Sequence, residues 1–333
     1  MAWTETAVLA GPPLLVLALA VAVALLVDRL FGEPPAWAHP VVWMGRYLGL
    51  LGPRVWAWPA GPAWCGGALA WLGGAVLVMT VALALDVGLA VLAHGLAGQD
   101  AGGAGWSVAA ARGVMLGLLL KPLLAWRMLR DEVLAVEHAL GRSLADGQLQ
   151  LARLVSRDTR VLDEAGVRES AIESLAENLN DSVVAPLFWF AVAGLPGAAL
   201  YRFANTADAM WGYKDHRRWM GQWAARADDV LSWLPARLTA LSLCVAAGRW
   251  PGWRALRAEA ARTPSPNGGW PMGAMALLLG VVLRKPGVYT LHAGGAAPEP
   301  VHTRRAAQWA GRAMALAAAA LLLTVAGMGA WHV

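Results

Sequence analysis

The sequence predicts an all-α, polytopic integral membrane protein, and three observations carry that prediction. Hydrophobic residues make up 58% of the 333 residues and charged ones only 15%, against about 25% charged in soluble domains. Uncharged stretches near both ends are long enough to cross a bilayer as helices. The charges are concentrated in a few dense segments between apolar ones, and mean hydropathy is +0.49.

Residues 8–27 carry no charge, and as a helix they reach about 30 Å, the thickness of the hydrocarbon layer. Glu5 precedes them with no Lys or Arg and no small-residue cleavage pattern, so they read as a retained span, not a signal peptide. A second span covers residues 63–85 and extends past Asp86 toward His94. A third begins near Trp106, is interrupted by Arg112 and Lys121, and emerges as an amphipathic helix through Arg127, Arg130, Asp131 and Glu137. Residues 183–201 are apolar but broken by Gly194-Leu-Pro-Gly197. They form either a simple crossing or a re-entrant pair of half-helices, which membranes tolerate where protein or water satisfies the backbone. Residues 238–247 and 272–283 are short for a crossing, and residues 313–331 form the last span.

Arg29, Arg46 and Arg54 follow the first span, whereas residues 97–105 contain no Lys or Arg. Positive-inside reasoning puts the N-terminus outside and residues 28–62 and 127–181 in the cytoplasm. Nineteen tryptophans suit anchoring at the two interfaces. The formal charge of +5 is spread among apolar segments, a membrane-orienting pattern and not a nucleic-acid stripe. Cys65 and Cys244 both lie in apolar segments, so neither a disulfide framework nor a Cys-based zinc site is expected. Residues 1–333 read as a single domain, with 127–182 and 201–235 as polar, cytoplasm-facing segments within it.

Dense polar clusters in an apolar chain point to function. The most informative is Glu169, Glu173, Glu177 and Asp181, four carboxylates at four-residue spacing. On a helix they form a slowly drifting acidic stripe opposite an apolar face of Val167, Ala171, Leu175 and Leu179. Like charges at that spacing repel, so the stripe calls for bound cations or nearby arginines. The other clusters are Asp-Arg-Leu-Phe-Gly-Glu-Pro at 28–34 with His39-Pro-Val, Ser-Arg-Asp-Thr-Arg at 156–160, the run from Tyr201 through Asn205 and Asp208 to Lys214, and Arg226-Ala-Asp-Asp229 leading to Arg237. A Pro-Ser-Pro-Asn-Gly segment follows at 264–268. There is no G-x-x-x-x-G-K-[ST], H-E-x-x-H or C-x-x-C pattern. Gly102-Gly-Ala-Gly105 lacks dinucleotide spacing and reads as an external turn.

In this order the clusters resemble the adenosylcobinamide-phosphate synthase family (cobalamin biosynthesis protein CobD/CbiB), over residues 28–287. The run 156–240 is the most specific part, and residues 284–300 match loosely. The family usually has His before Pro-Ser-Pro-Asn, whereas this chain has Thr263. The resemblance implies a multi-pass inner-membrane enzyme. It would join adenosylcobyric acid, through its free propionate carboxyl, to aminopropanol or aminopropanol phosphate at the expense of ATP. ATP and Mg²⁺ would be its cofactors, and the corrinoid a substrate. A homo-oligomer or a corrinoid-pathway protein would be its partner, and nucleic acid would not.

That chemistry assigns roles to residues. Mg²⁺ binds through one or two carboxylates plus phosphate oxygens, which suits Glu173, Glu177, Asp181, Asp228 and Asp229. Arg153, Arg157 and Arg160 would share one face if their segment is helical, and arginine pairs bidentately with phosphate. With Asn178, Asn205, Arg226 and Arg237 they form the substrate- and phosphate-binding set, although each arginine could equally pair with the acidic helix. Asp28, His39, Asp158, Asp208 and Lys214 are the candidates for proton transfer and catalysis. The four clusters from 156 onward are expected to converge on one cytoplasm-facing site. The competing reading is a transporter with a broken-helix pathway, or a non-catalytic sensor paralogue.

Overall fold

The computed structural model describes residues 13–97 and 104–330. The expectations for residues 8–12, Glu5, most of the 97–105 loop with Gly102 and Gly103, and Trp331 lie outside them. The predicted helices are present. They are α1 (Pro13–Phe31), α2 (Pro40–Val55), α3 (Ala60–Ala97), α4 (Ala104–Leu120), α5 (Trp126–Leu140), α6 (Leu144–Leu151), α7 (Glu164–Leu179), α8 (Ala185–Trp211), α9 (Arg218–Leu231), α10 (Trp233–Ala247), α11 (Trp253–Ala260), α12 (Gly269–Leu279) and α13 (Pro300–Ala330). A 3₁₀ turn at Lys121–Leu123 follows α4, and a π-helical turn at Asn180–Val184 joins α7 to α8. One departure from an all-α chain is a small antiparallel hairpin, β1 (Leu283–Lys285) with β2 (Tyr289–Leu291).

Five helices among the described residues are long and apolar enough to cross a membrane, and a sixth if α9 and α10, bent by 46°, form one broken span. At 1.5 Å per residue α3 is about 57 Å long, well beyond the hydrocarbon thickness. α12 spans 11 residues, too few to cross. α13 starts at Pro300, thirteen residues before the expected span, because His302 to Arg312 continue the helix.

The chain divides into two compact units, one comprising residues 1–125, 186–230 and 318–333, the other 126–185 and 231–317. In the first unit α1 packs on α4 through Gly113 and Gly117. A Cβ on Gly117 would lie 2.6 Å from the Ala20 carbonyl oxygen and one on Gly113 3.0 Å from that of Val16. Such small residues let helix backbones approach closely in a membrane. Asp86 of α3 and Arg112 of α4 form an ion pair at 3.0 Å, so two charges inside spans satisfy each other. The α8 helix breaks at Ala193 and Gly194, where Gly194 adopts φ +62°, ψ −158°, a conformation essentially confined to glycine.

In the second unit α7 is the central helix, contacting α5, α6, α12 and β1. Asp163 caps its N-terminus by accepting from the Gly166 N–H at 2.7 Å, and Glu164 complements the helix dipole in the first turn. Val167, Ala171, Leu175 and Leu179 are fully buried, as expected. The carboxylate side is buried too, with Glu169 1% and Glu173 2% exposed. The expected division into an apolar and an open acidic face is therefore replaced by a helix enclosed on both sides, in which each acid needs a partner.

Candidate functional site

The partners of Glu169 and Glu173 in the acidic stripe come from three other segments of the second unit, the loop at Arg157 and the two strands of the hairpin. Arg157 donates to Glu173 Oε2 at 2.7 Å and to the Ser170 hydroxyl at 3.2 Å. Tyr289 on β2 donates its hydroxyl to Glu173 Oε1. Arg284 on β1 grips Glu169 by its backbone N–H at 2.9 Å and its guanidinium at 2.6 Å, a bidentate fork. Arg168 bonds both oxygens of Glu137 on α5 at 3.1 Å, and Thr303 on α13 donates to the same carboxylate at 2.9 Å.

Glu177 is different. Asp181, Glu173, Lys285 and Arg157 all act on it electrostatically, but among the described residues no ion pair reaches it. A Cβ on Gly268 would lie 3.2 Å from its Oε1, so the Pro-Ser-Pro-Asn-Gly loop abuts this carboxylate. That loop is shaped by the Ser265 hydroxyl, which accepts from the N–H groups of Asn267 and Gly268 at 3.2 and 3.1 Å. Thr263, where the family usually has histidine, bonds the Ala260 and Ser265 carbonyls at 3.1 and 2.9 Å and holds the turn.

The π-helical turn positions the end of the stripe, and such turns recur at functional sites. Asn180 donates to Asp181 at 2.8 Å and accepts from Thr239 of α10 at 3.1 Å. Two residues before Thr239, Arg237 donates to Asn267 Oδ1 at 3.1 Å and lies over the rings of Trp233 and Trp270, 4.2 and 4.7 Å from their centroids. Asn178 is back-bonded to Ser174. An open cleft of about 640 Å³ lies between residues 161–166 and the hairpin, lined by Glu169, Arg284, Lys285 and Tyr289.

The three arginines of the 153–160 segment do not share a helical face. α6 ends at Leu151 and the chain to Asp163 is turns and bends, so each side chain takes its own partner. Arg153 pairs with Glu132 at 2.8 Å, Arg157 with Glu173, and Arg160 with Asp158 at 2.9 Å. The Arg160 guanidinium and backbone N–H hold the exposed Asp158 carboxyl down at about 2, far from the range of a general base at neutral pH.

The first unit assembles a second cluster. Asn205 on α8 donates to Asp228 on α9 at 3.3 Å, and Lys214 in the intervening turn acts electrostatically on Asp229. Asp208 lies against Gly212, whose N–H donates to its carbonyl at 2.7 Å. Arg226 is exposed. Thus the run from Tyr201 to Lys214 and Arg226 to Asp229 belong to this unit, while the 156–160 segment, the acidic stripe and Arg237 belong to the other.

The N-terminal motif is tied into a buried charge network. Lys121 reaches Asp28 at 3.3 Å and Glu33 at 3.0 Å, and Glu33 also holds His39 at 3.0 Å. His39 caps α2 by accepting from the Val41 N–H through Nδ1, which leaves Nε2–H to donate to Glu33. Both ring nitrogens are thereby engaged structurally. Burial alone would raise the Glu33 carboxyl, but the hydrogen bond from His39 and the charge of Lys121 outweigh it and hold it below its ordinary value. Sequence reasoning missed Lys121, Tyr289, Arg284 and Lys285. Lys121 carried a signal, since a lysine inside an apolar segment needs carboxylates. Residues 284–300 gave none.

Among the described residues no group of three or more His, Cys, Asp or Glu side chains converges as an all-protein metal cage would. The two units hold mixed acid, arginine and amide clusters on or next to helices long and apolar enough to cross a membrane, the arrangement of a polytopic membrane protein with buried polar sites. A profile of the CobD/Cbib protein family matches residues 21–317, and the chain belongs to that family. Cobalamin biosynthesis protein CobD of Chromobacterium violaceum is 43% identical over 95% of this chain and 99% of the relative. That of Stutzerimonas stutzeri is 40% identical over 86% and 92%. The probable cobalamin biosynthesis protein CobD of Methanothermobacter thermautotrophicus is 38% identical over 80% and 84%. No solved structure matches.

Proposed function

We propose that this chain is the amide-forming ligase of cobalamin biosynthesis, acting on adenosylcobyric acid and aminopropanol or its phosphate with ATP. The observation that carries the reading is the family match over residues 21–317, with relatives named for cobalamin biosynthesis across nearly their full length. A carboxylate does not react directly with an amine. The propionate first takes the γ-phosphoryl group of ATP, releasing ADP. The neutral amine then attacks the acyl carbon, the C–N bond forms, and inorganic phosphate leaves as the nitrogen loses its proton.

The residues suit this chemistry. Glu177 and Asp181 fit Mg²⁺, which needs one or two carboxylates and takes its other ligands from phosphates and water. The unbalanced negative charge around Glu177 is the reason they fit, and the ion supplies charge neutralisation when bound. Arg157 and Lys285 act electrostatically on Glu177 and Glu173 and are the groups for phosphate oxygens. Glu173 serves to position Arg157. In the first unit Asn205, Asp228, Asp229 and Lys214 form a second set able to bind metal and phosphate. Positive-inside reasoning on the basic segments supports a cytoplasmic side for this chemistry, where ATP is available. Purified protein given adenosylcobyric acid, MgATP and either amine tests the proposal. ATP-dependent amide product supports it and the better amine names the donor, whereas corrinoid binding without ATP-dependent product refutes it.

A further inference from the structure

The first unit contains a cavity of about 460 Å³ that none of the proposed chemistry uses. Its walls are α2, α3, the end of α4 with the following 3₁₀ turn, and the segment of α8 just past the Gly194 break. No charged residue lines it, and its single hydroxyl, that of Tyr47, donates to the Ala70 carbonyl at 2.8 Å. Lys121, next to the lining residue Pro122, spends its ammonium on Asp28 and Glu33. Water needs two to four polar partners to reside in such a space, and this lining is almost wholly apolar. A vacant apolar volume would forfeit the dispersion contacts of every side chain around it.

The cavity is also open on one side. Met44, Ala82, Leu123 and Leu195 in its wall are buried, whereas Leu77, Val81 and Leu118 are 53%, 52% and 44% exposed. These half-exposed residues lie on α3 and α4, both within membrane-spanning segments, so the mouth is continuous with the lipid-facing surface. We infer that the cavity takes one acyl chain of a bilayer phospholipid, inserted sideways between α3 and α4. With no charge in the lining, the chain and not the headgroup is what is recognised.

The test uses the full-length protein in phosphatidylcholine vesicles doped with phosphatidylcholine carrying a diazirine at mid-chain. After photolysis, adducts are expected on peptides containing Met44 and Leu123, which lipid on the outer surface cannot reach. Adducts confined to outward positions such as Leu69, Leu83 and Val91 would overturn the inference. Ala82→Phe and Ala199→Phe each fill the cavity from a different helix and should abolish the Met44 and Leu123 adducts while leaving those at Leu83. Persistence of the inner adducts in a folded variant would also overturn it. Doping with anionic phosphatidylglycerol of the same chain should give the same pattern, and a strong preference for either headgroup would refute recognition through the chain. Displacement of the inner adducts by excess adenosylcobyric acid would assign the cavity to the corrinoid instead. None of these readouts depends on ligase activity, so the inference can fail or stand independently of the proposed reaction.

Discussion

Replacing Arg157 with Met separates the two jobs this arginine is given. Glu173 is 2% exposed, and its Oε2 is held by Arg157 at 2.7 Å. Removing the guanidinium leaves a buried carboxylate with only the Tyr289 hydroxyl, and stranding one member of a buried ion pair costs about 3–5 kcal/mol. Arg157 itself is 21% exposed, so partial solvation draws the expectation to the lower end, ~3 kcal/mol. For domains of 150–250 residues each kcal/mol moves Tm by about 2–4 °C, giving a fall of roughly 6–12 °C. Intrinsic fluorescence during heating in detergent reads this directly. The double variant Arg157→Met/Glu173→Gln removes both charges and should recover most of the loss, since a pair replaced together is often near neutral. Ligase turnover should stay low in both variants if Arg157 also meets phosphate. A charge-assisted contact of about 1.5–3 kcal/mol corresponds to roughly 10–150-fold in kcat/KM. An Arg157→Met protein that melts with the wild type would refute the buried-pair argument. Full turnover in the double variant would remove Arg157 from phosphate binding.

Three further outcomes follow from geometry elsewhere. Lys121→Met removes the ammonium that reaches both Asp28 and Glu33 and should lower Tm by the equivalent of ~3 kcal/mol, as breaking a buried ion pair does; a Lys121→Met protein that melts with the wild type would refute the pairing. Gly194→Ala forces a Cβ into a glycine-only conformation 3.3 Å from Asp86 Oδ2 and should cost about 1–3 kcal/mol, read as a lower melting midpoint in detergent. Glu33 has a lowered folded pKa, so its stabilisation is complete above the unfolded carboxylate value and is lost as pH falls through the folded one. Tm should therefore drop more steeply on acidification below that unfolded value in the wild type than in Glu33→Gln, and parallel curves would refute it.

Much of the fold was legible because hydrophobic length is a strong signal. The runs at 8–27, 63–85 and 313–331 carry no charge and read as membrane helices from length alone, whereas the charged start of α13 gave no such signal. The acidic stripe was legible as well, since four-residue spacing survives any later packing of the helix. Its surroundings were not. Periodicity predicts which residues share a face, but Glu169 and Glu173 are buried under partners from residues 157, 284 and 289, more than ten to over a hundred positions away. The arginine segment failed for the opposite reason. Arg153, Arg157 and Arg160 have helical spacing, yet α6 stops at Leu151 and each arginine takes a separate acid. The hairpin carries only three residues per strand, too short for an alternation pattern to emerge.

Several buried or half-buried carboxylates of this chain are paired with cations from other segments: Asp86 with Arg112, Glu137 with Arg168, Glu169 with Arg284, Glu173 with Arg157. Pairing is what a mostly apolar environment demands, because an isolated buried ion is costly. Glu177 departs from that rule among the described residues, with Asp181 and Glu173 as like-charged neighbours and no cation in contact. A carboxylate kept in that state destabilises the protein that carries it and gains only when a cationic ligand binds. Glu177→Gln should therefore raise the Tm of the ligand-free protein, by the equivalent of ~0.5–2 kcal/mol, as expected when an active-site charge is removed for stability at the expense of function. The same substitution should abolish ATP-dependent turnover and remove the Tm increase that MgATP gives the wild type. Glu173→Gln, by contrast, disrupts a satisfied pair and should lower Tm. If Glu177→Gln also lowers it, Glu177 is one more structural acid, and the metal role falls to the Asn205–Asp228 cluster.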